Sequence, residues 1–212
     1  MIPPSPCLVL DGSAREGVRV GLLVDGVWKS EACSDEGALE AAAACVARTL
    51  SSAGVGLAQV RSFAVCAGPG SILGVRITAM LVRTWLAVEA RPCFVWNALE
   101  AVAAATVASG MAPPFAVVSE SRLKRWNVLP VSSDGVPGAC VELEAAKAAS
   151  LGMPLVGPAS GAPFTVVPAP AVWPSLPALF AQGGLLRAAA RPDALNPAPE
   201  FAVWSGDRHR AP

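Results

Sequence analysis

Residues 60–80 read VRSFAVCAGPGSILGVRITAM, and this stretch decides the fold. The apolar run Val60–Cys66 is typical of a buried strand, and Gly68-Pro69-Gly70-Ser71 ends it with a turn. Apolar residues then recur at helical spacing from Ile72 to Val88, and Ser71 can cap that helix. A strand, a glycine turn and a helix in this order predict one unit of an α/β sheet protein.

The segments on either side extend this unit in both directions. Asp25-Gly26 separates two apolar runs, which is the strongest local signal for a β-hairpin. We predict strands at Cys7–Leu10, Val18–Val24, Val27–Ala32 and Cys93–Trp96, a helix at Glu36–Ala53 capped by Ser34 or Asp35, and a helix capped by Asn97 that continues to Ser109. A meander of strands followed by alternating strands and helices predicts a mixed sheet with helices on its faces.

The composition changes at Gly110, because 15 of the 20 prolines lie in residues 110–212. We therefore predict two lobes, residues 1–109 and a smaller, proline-rich lobe over residues 110–212. In the second lobe the patterns indicate strands at Phe115–Val118, Trp126–Val131 and Phe164–Val167, and helices at Val141–Ser150 and Leu176–Gln182.

Composition excludes several classes of function. The chain has 212 residues, 53% of them hydrophobic, and its 16 basic residues balance 16 acidic ones. Zero net charge excludes general, non-specific electrostatic binding to nucleic acid. His209 is the single histidine, which excludes a multi-histidine metal centre and argues against a histidine-based triad. We assign no metal ligand and no catalytic residue.

The cysteines and the hydropathy pattern bear on location. The six cysteines form no Cys-x-x-Cys pair and most lie in apolar runs, which predicts buried thiols rather than disulfides. The first residues lack the basic region of an export signal, and no apolar run is long enough to span a bilayer. We expect a cytoplasmic protein without membrane contact.

Two polar turns are candidate binding sites. Asp11-Gly12-Ser13 follows the first strand, and its serine and backbone N–H groups could bind an anion. Gly68-Pro69-Gly70-Ser71 opens a helix, whose N-terminus favours phosphate, although no P-loop spacing follows. An ordinary turn is the alternative in both places. Arg76 on the same helix could reach a phosphate, a carboxylate of a partner, or solvent.

Two charged segments carry weaker signals. Ser119–Trp126 combines three cations with a tryptophan, which could contact RNA, but the neutral chain favours a solvated hairpin. Asp207–Arg210 is a charged tail in which we expect His209 to be solvated.

Together these motifs resemble the TsaB (YeaZ) family. Gly68-Pro69-Gly70-Ser71, with Gly74, Arg76 and Ile77, matches the family's glycine motif GPGSFTGLRIG. Asn97–Ala101 matches the later family segment SSLEALA. The resemblance covers residues 7–108 well and the remainder by the order of its elements.

The resemblance implies an α/β, actin/hexokinase/Hsp70-like (ribonuclease H-like) fold of two lobes. It also implies a non-catalytic scaffold for the related subunit TsaD, alongside the ATPase TsaE, in threonylcarbamoyl modification of tRNA adenosine. Contact with tRNA would be indirect, through the complex. Family dimers, between like or unlike subunits, use the helices of the first lobe. The residues implied at this interface are Leu39, Ala43, Val46, Leu50, Val75, Arg76, Met80 and Arg83. Those implied to face phosphate or nucleotide are Asp11, Gly12, Ser13, Gly68, Pro69, Gly70 and Ser71.

Three departures from the family pattern weaken the case for nucleotide binding. Gly12 replaces threonine, Ile72-Leu73 replaces Phe-Thr, and Ser34-Asp35-Glu36 stands where the family has His-Ser. These changes remove hydroxyls, so ATP or ADP is expected only at a partner interface. Two alternatives stay open, namely an ATPase or phosphotransferase of the same superfamily and an M22-type metalloprotease.

Overall fold

Two mixed β-sheets and five α-helices form the chain, as seen in a computed structural model that describes residues 2–15, 17–121, 124–158 and 161–194. The first sheet has the strand order β11-β5-β4-β1-β2-β3, and the second has the order β10-β9-β6-β7-β8. The strands are β1 Cys7–Asp11, β2 Val18–Val24, β3 Val27–Ser34, β4 Ser62–Cys66, β5 Cys93–Trp96, β6 Phe115–Glu120, β7 Arg125–Val131, β8 Val141–Glu144, β9 Leu155–Gly157, β10 Val167–Pro168 and β11 Arg187–Ala188. The helices are α1 Ala38–Ala53, α2 Ile72–Val88, α3 Ala98–Ala108, α4 Ala145–Ala149 and α5 Leu176–Gln182.

The first sheet is mixed, as the sequence predicts. Strands β1, β4 and β5 are parallel, while β2, β3 and β11 are antiparallel to their neighbours. The β2–β3 hairpin turns through Asp25 and Gly26, whose φ angles of 50° and 82° are those of the expected turn. Helices α1 and α2 cover one face of this sheet, and α3 and α5 cover the other.

Local capping fixes the starts of the helices. The Ser71 side chain accepts a hydrogen bond from the Gly74 N–H, and Asn97 accepts from the N–H groups of Leu99 and Glu100, so both predicted caps are confirmed. The first helix begins at Ala38 instead of Glu36, and its cap residue is Gly37, which makes no side-chain hydrogen bond. The predicted caps Ser34 and Asp35 are therefore wrong, because β3 continues to Ser34.

Helix α3 lies between the two sheets and joins their cores. Ala101 and Ala105 pack in the core of the first sheet, whereas Leu99 and Ala103 pack in that of the second. The small alanine side chains let the helix approach both sheets closely. The helix thereby fixes how the two lobes sit on each other.

The second lobe departs from the sequence prediction. The predicted helix Val141–Ser150 is a strand up to Glu144, which pairs with β7, followed by the five-residue helix α4. Pairing across the sheet therefore overrides a pattern that is locally helical. The strand predicted at Phe164–Val167 is confined to Val167–Pro168, and β9 was not predicted.

The chain returns to the first sheet after the second is complete. Strand β11 pairs with β5, and Trp173 and Phe180 are buried against the first sheet. The Trp173 ring stacks on Trp28 with a centroid distance of 4.9 Å, and its Nε1–H donates to a Glu31 carboxylate oxygen at 2.6 Å. The predicted division at residues 109 and 110 leaves this return out, because residues 173–186 pack on the first sheet and Arg187–Ala188 add a strand to it.

All six cysteines are free thiols, as the sequence predicts. Within the described residues, none of the helices combines the length and apolar character that crossing a bilayer requires.

Candidate functional site

The two polar turns meet at one edge of the first sheet. Strands β1 and β4 are parallel neighbours, so the turns that follow Asp11 and Cys66 leave the sheet at the same end. The Ser71 N–H donates to the Ser13 carbonyl oxygen at 2.8 Å. Within the first turn, the Ser13 N–H donates to Asp11 Oδ1, also at 2.8 Å. The structure therefore brings together the two segments that were predicted to face phosphate.

Glycines allow the backbones of the two turns to touch. A Cβ on Gly12 would overlap the carbonyl oxygen of Gly74, and a Cβ on Gly74 would overlap the carbonyl oxygen of Gly12. A Cβ on Gly70 would likewise overlap the carbonyl oxygen of Ser13. Any residue larger than glycine at position 12 would force the first turn away from α2.

This contact decides what the site can hold. The N-terminus of α2 is the part of the site suited to an anion, and the carbonyl oxygen of Ser13 already accepts from Ser71 there. The Ser71 hydroxyl accepts from Gly74, which completes the cap. An anion bound by the Ser71 N–H would have to displace the Ser13 carbonyl oxygen from it. That Asp11, Gly12, Ser13, Gly68, Pro69, Gly70 and Ser71 face a nucleotide stays a prediction.

The buried thiol of Cys66 lies behind the turns. Burial and the nearby Asp11 carboxylate raise the pKa of this thiol well above its ordinary value, and hydrogen bonds from the Gly68 backbone and Ser13 only partly oppose that shift. The thiol is therefore neutral at physiological pH. It packs as a small apolar side chain beneath the site.

An ion pair bridges the two lobes beside this site. Arg15, on the β1–β2 connection, contacts Glu120 at the end of β6, with an N–O distance of 2.8 Å. Both side chains are partly exposed, so the pair is screened by water.

The basic segment Ser119–Trp126 forms part of the β6–β7 hairpin. Trp126 is buried in the core of the second sheet, and Arg125 pairs with Glu142 at 2.9 Å. The ring of Trp126 packs against Phe164, so it offers no surface for stacking on RNA, and the hairpin that the sequence favours is the one observed. Arg122 lies outside the described residues, as do Asp207–Arg210 and His209.

The predicted interface residues divide into two groups. Leu39, Ala43, Arg76 and Met80 are exposed, and Arg83 is half-buried beside Asp193. Three others point into the core and offer no surface to a partner: Val46, Leu50 and Val75.

Helix α2 also exposes apolar residues that sequence reasoning missed. Ile72, Leu73 and Val88 are exposed by 53%, 61% and 86%, next to Met80 at 57%. The composition of the helix carried this signal, because α2 has more apolar residues than the one side facing the sheet can bury.

No group of three or more histidine, cysteine, aspartate or glutamate residues could hold a metal ion in the part of the chain that the structure describes.

The two mixed sheets, the helices packed on their faces and the paired turns form an α/β fold, which confirms the predicted α/β architecture. Residues 35–123, less than half of the chain, match the family model described as TsaD, tRNA N6-adenosine threonylcarbamoyltransferase. The fold implied by the resemblance to the TsaB (YeaZ) family is shared over most of the chain.

Two solved structures are similar over nearly their whole length. YeaZ from Pseudomonas aeruginosa is 20% identical, with a TM-score of 0.67, and the match covers 90% of this chain and 98% of that one. A protein described as similar to the peptidase YeaZ from Pseudomonas aeruginosa is 22% identical, with a TM-score of 0.65, covering 92% and 98%. A search of curated proteins by sequence found no match.

Proposed function

We propose that this chain is a non-catalytic scaffold subunit resembling TsaB, which binds a TsaD-type partner during threonylcarbamoyl modification of tRNA adenosine. A TsaE-type ATPase would join the same complex, and tRNA would be contacted through the partners. The family model for a tRNA N6-adenosine threonylcarbamoyltransferase and the YeaZ fold support this assignment.

The observation that carries the proposal is the exposed apolar face of α2. Leu73, Met80 and Val88 are large apolar side chains that the other described residues leave exposed, and α1 packs alongside. Alanines on the exposed side of α1, such as Ala43, would allow the close approach of a partner helix. An apolar surface of this kind is typical of a protein interface.

The closed turns support the non-catalytic part of the proposal. Gly12 and Gly74 are in backbone contact, and the Ser71 N–H at the start of α2 already donates to Ser13. A phosphate that takes this N–H would need the two turns to separate. Nucleotide at a partner interface is compatible with this geometry, because it needs no space between the turns.

Co-purification with the TsaD-type protein of the same organism tests the proposal. The full chain is expected to form a stable complex, measured by size-exclusion chromatography and calorimetry with and without ATP. Leu73→Glu should weaken binding at least about tenfold, because it places a charge in the apolar centre of the interface.

Val136→Glu is the matched control for that variant. Val136 is 56% exposed, close to the 61% of Leu73, but it lies in the β7–β8 connection of the second sheet. The Val136→Glu variant should bind the TsaD-type protein with the same affinity as the unmodified chain. Failure to bind in any nucleotide state, or equal loss in both variants, would exclude this interface.

An ATPase or phosphotransferase activity is the second candidate. Asp11 stands at the end of β1 beside two glycine turns, which is the arrangement that this activity would require. ATP hydrolysis by the isolated chain that is abolished in Asp11→Asn would favour it. The substitution keeps an oxygen that can accept from the Ser13 N–H, so the turn should persist.

A further inference from the structure

The exposed face of α2 leads to a groove at its C-terminal end. Leu73, Arg76 and Met80 share this face, because they are spaced three and four residues apart. Met80, Arg83 and Val88 line one side of a shallow groove of about 730 Å³, and Ala190 and Arg191 line the other. The far wall is thus supplied by the chain just before the end of the described residues.

An ion pair places the end of the described chain beside α2. Arg83 on α2 lies 3.6 Å from Asp193, and the described residues end at Ala194. The residues that follow therefore start next to the groove and its apolar side chains.

The residues that follow have a composition suited to that face. Residues 195–212 read LNPAPEFAVWSGDRHRAP, in which Phe201-Ala202-Val203-Trp204 is an apolar run preceded by Glu200. Two aromatic side chains in so short a segment provide most of the area that a weak peptide contact needs.

We propose that Glu200–Trp204 binds in cis to the exposed face of α2. Glu200 lies beside Arg76 in this arrangement, and Phe201 and Trp204 cover Leu73 and Met80. The charges are complementary, since the acidic Asp193 already lies beside Arg83 and the acidic Glu200 is then matched by Arg76 on the same helix.

The chain from Asp193 to Glu200 is long enough for Glu200 to reach Arg76. Seven residues of helix span about 10 Å, whereas seven residues of extended chain span up to about 23 Å. A tethered segment is present at an effective concentration of about 1 mM, so a contact with a Kd of about 0.2 mM would be formed about 80% of the time. The segment would then compete with any protein that uses the same face. The proposal does not depend on the proposed scaffold function.

Oxidation of Met80 measures whether this face is covered. The probe is hydrogen peroxide at a concentration where the protein is monomeric, with exposed thiols alkylated first and sulfoxide quantified by peptide mass spectrometry. Met80 in the full chain should oxidise about fivefold more slowly than in a chain ending at Ala194, following the occupancy above. Met153, which is half-buried beside the second sheet, is the internal reference and should oxidise equally in both.

Full-length variants separate this contact from the effects of truncation. Phe201→Ser/Trp204→Ser should oxidise at Met80 as fast as the shortened chain. Equal rates in the full and shortened chains, or slow oxidation that persists in the double variant, would overturn the proposal. Protection that disappears on dilution would also overturn it, because a second copy would then be covering α2.

Charge reversal tests the register. Arg76→Glu and Glu200→Arg should each speed the oxidation of Met80, and the two together should restore protection. Fast oxidation in the double charge reversal would reject the pairing of Glu200 with Arg76.

Discussion

Gly12 and Gly74 occupy each other's side-chain space. The carbonyl oxygen of each residue lies where a Cβ of the other would be, so the first turn and the first turn of α2 are in backbone contact. Glycine at position 12 is therefore the residue that permits this contact.

Gly12→Ala is expected to destabilise the protein by about 1–3 kcal/mol, because the new methyl group meets backbone atoms that cannot rotate away. Gly56→Ala is the matched control, since φ at Gly56 is −82° and its nearest neighbour is the mobile end of Gln59 at 3.6 Å. Urea unfolding should show little change for the control. Equal stability of the two variants would contradict the contact.

Trp173→Ala should cost about 3–5 kcal/mol, because it removes a large buried side chain that holds the returning chain on the first sheet. Trp173→Phe keeps an aromatic ring over Trp28 but loses the N–H that donates to Glu31, and should cost about 1.5–3 kcal/mol. Denaturant midpoints of both variants check this order. A phenylalanine variant as unstable as the alanine variant would show that stacking contributes nothing.

The ion pair between Arg15 and Glu120 should contribute less than about 1 kcal/mol in a double-mutant cycle, because its side chains are 68% and 38% exposed. The pair between Arg187 and Glu100 is the comparison, with a 2.7 Å separation and a glutamate that is only 19% exposed. Its coupling energy should be the larger and the less sensitive to salt. A larger coupling energy for Arg15 and Glu120 than for Arg187 and Glu100 would contradict the expectation that solvent exposure weakens an ion pair.

Stability should fall as the pH rises above about 9, with buried thiols as one cause. Burial raises the pKa of Cys7 to about 12 and that of Cys93 to about 11. The unfolded chain loses these protons at lower pH than the folded one, so each thiol stabilises the fold below pH 9 and loses this effect as pH approaches its folded value. The slope per thiol is up to about 1.4 kcal/mol per pH unit.

Cys7→Ala should therefore flatten the fall in stability between pH 9 and 11, whatever its effect on stability at pH 7. Cys33→Ala, at an exposed position, is the control for the substitution itself. Unfolding free energies across this pH range make the measurement. Identical slopes for the Cys7 variant and the unmodified chain would refute the contribution.

Local signals were sufficient for most elements of residues 1–109, the start of α1 excepted. The turn at Asp25-Gly26, the caps at Ser71 and Asn97 and the apolar spacing of Ile72–Val88 each specify their element from a few neighbouring residues. The same signals are weak further along, where β8 and α4 share one run of residues and β9 has only three. Those elements exist because of partners that are distant in sequence.

The site was predictable in position but not in geometry. Parallel strands place the two turns at one edge of the sheet, which the sequence pattern implies. The contact between Gly12 and Gly74 depends on how closely α2 approaches β1, and no local pattern encodes that distance. The pairing of Arg15 with Glu120 cannot be predicted from local sequence either, because it depends on how the two lobes pack against each other.

The return of residues 173–188 to the first sheet also sets an order of events during synthesis. Strand β11 and helix α5 are made after the whole second sheet, yet they cover Val9, Ala64 and Trp96 from the first. During synthesis, this apolar face of the first sheet stays exposed to solvent until nearly all of the described chain has left the ribosome. The first sheet is therefore begun first and completed last, and its exposed face can aggregate during the time between these two events.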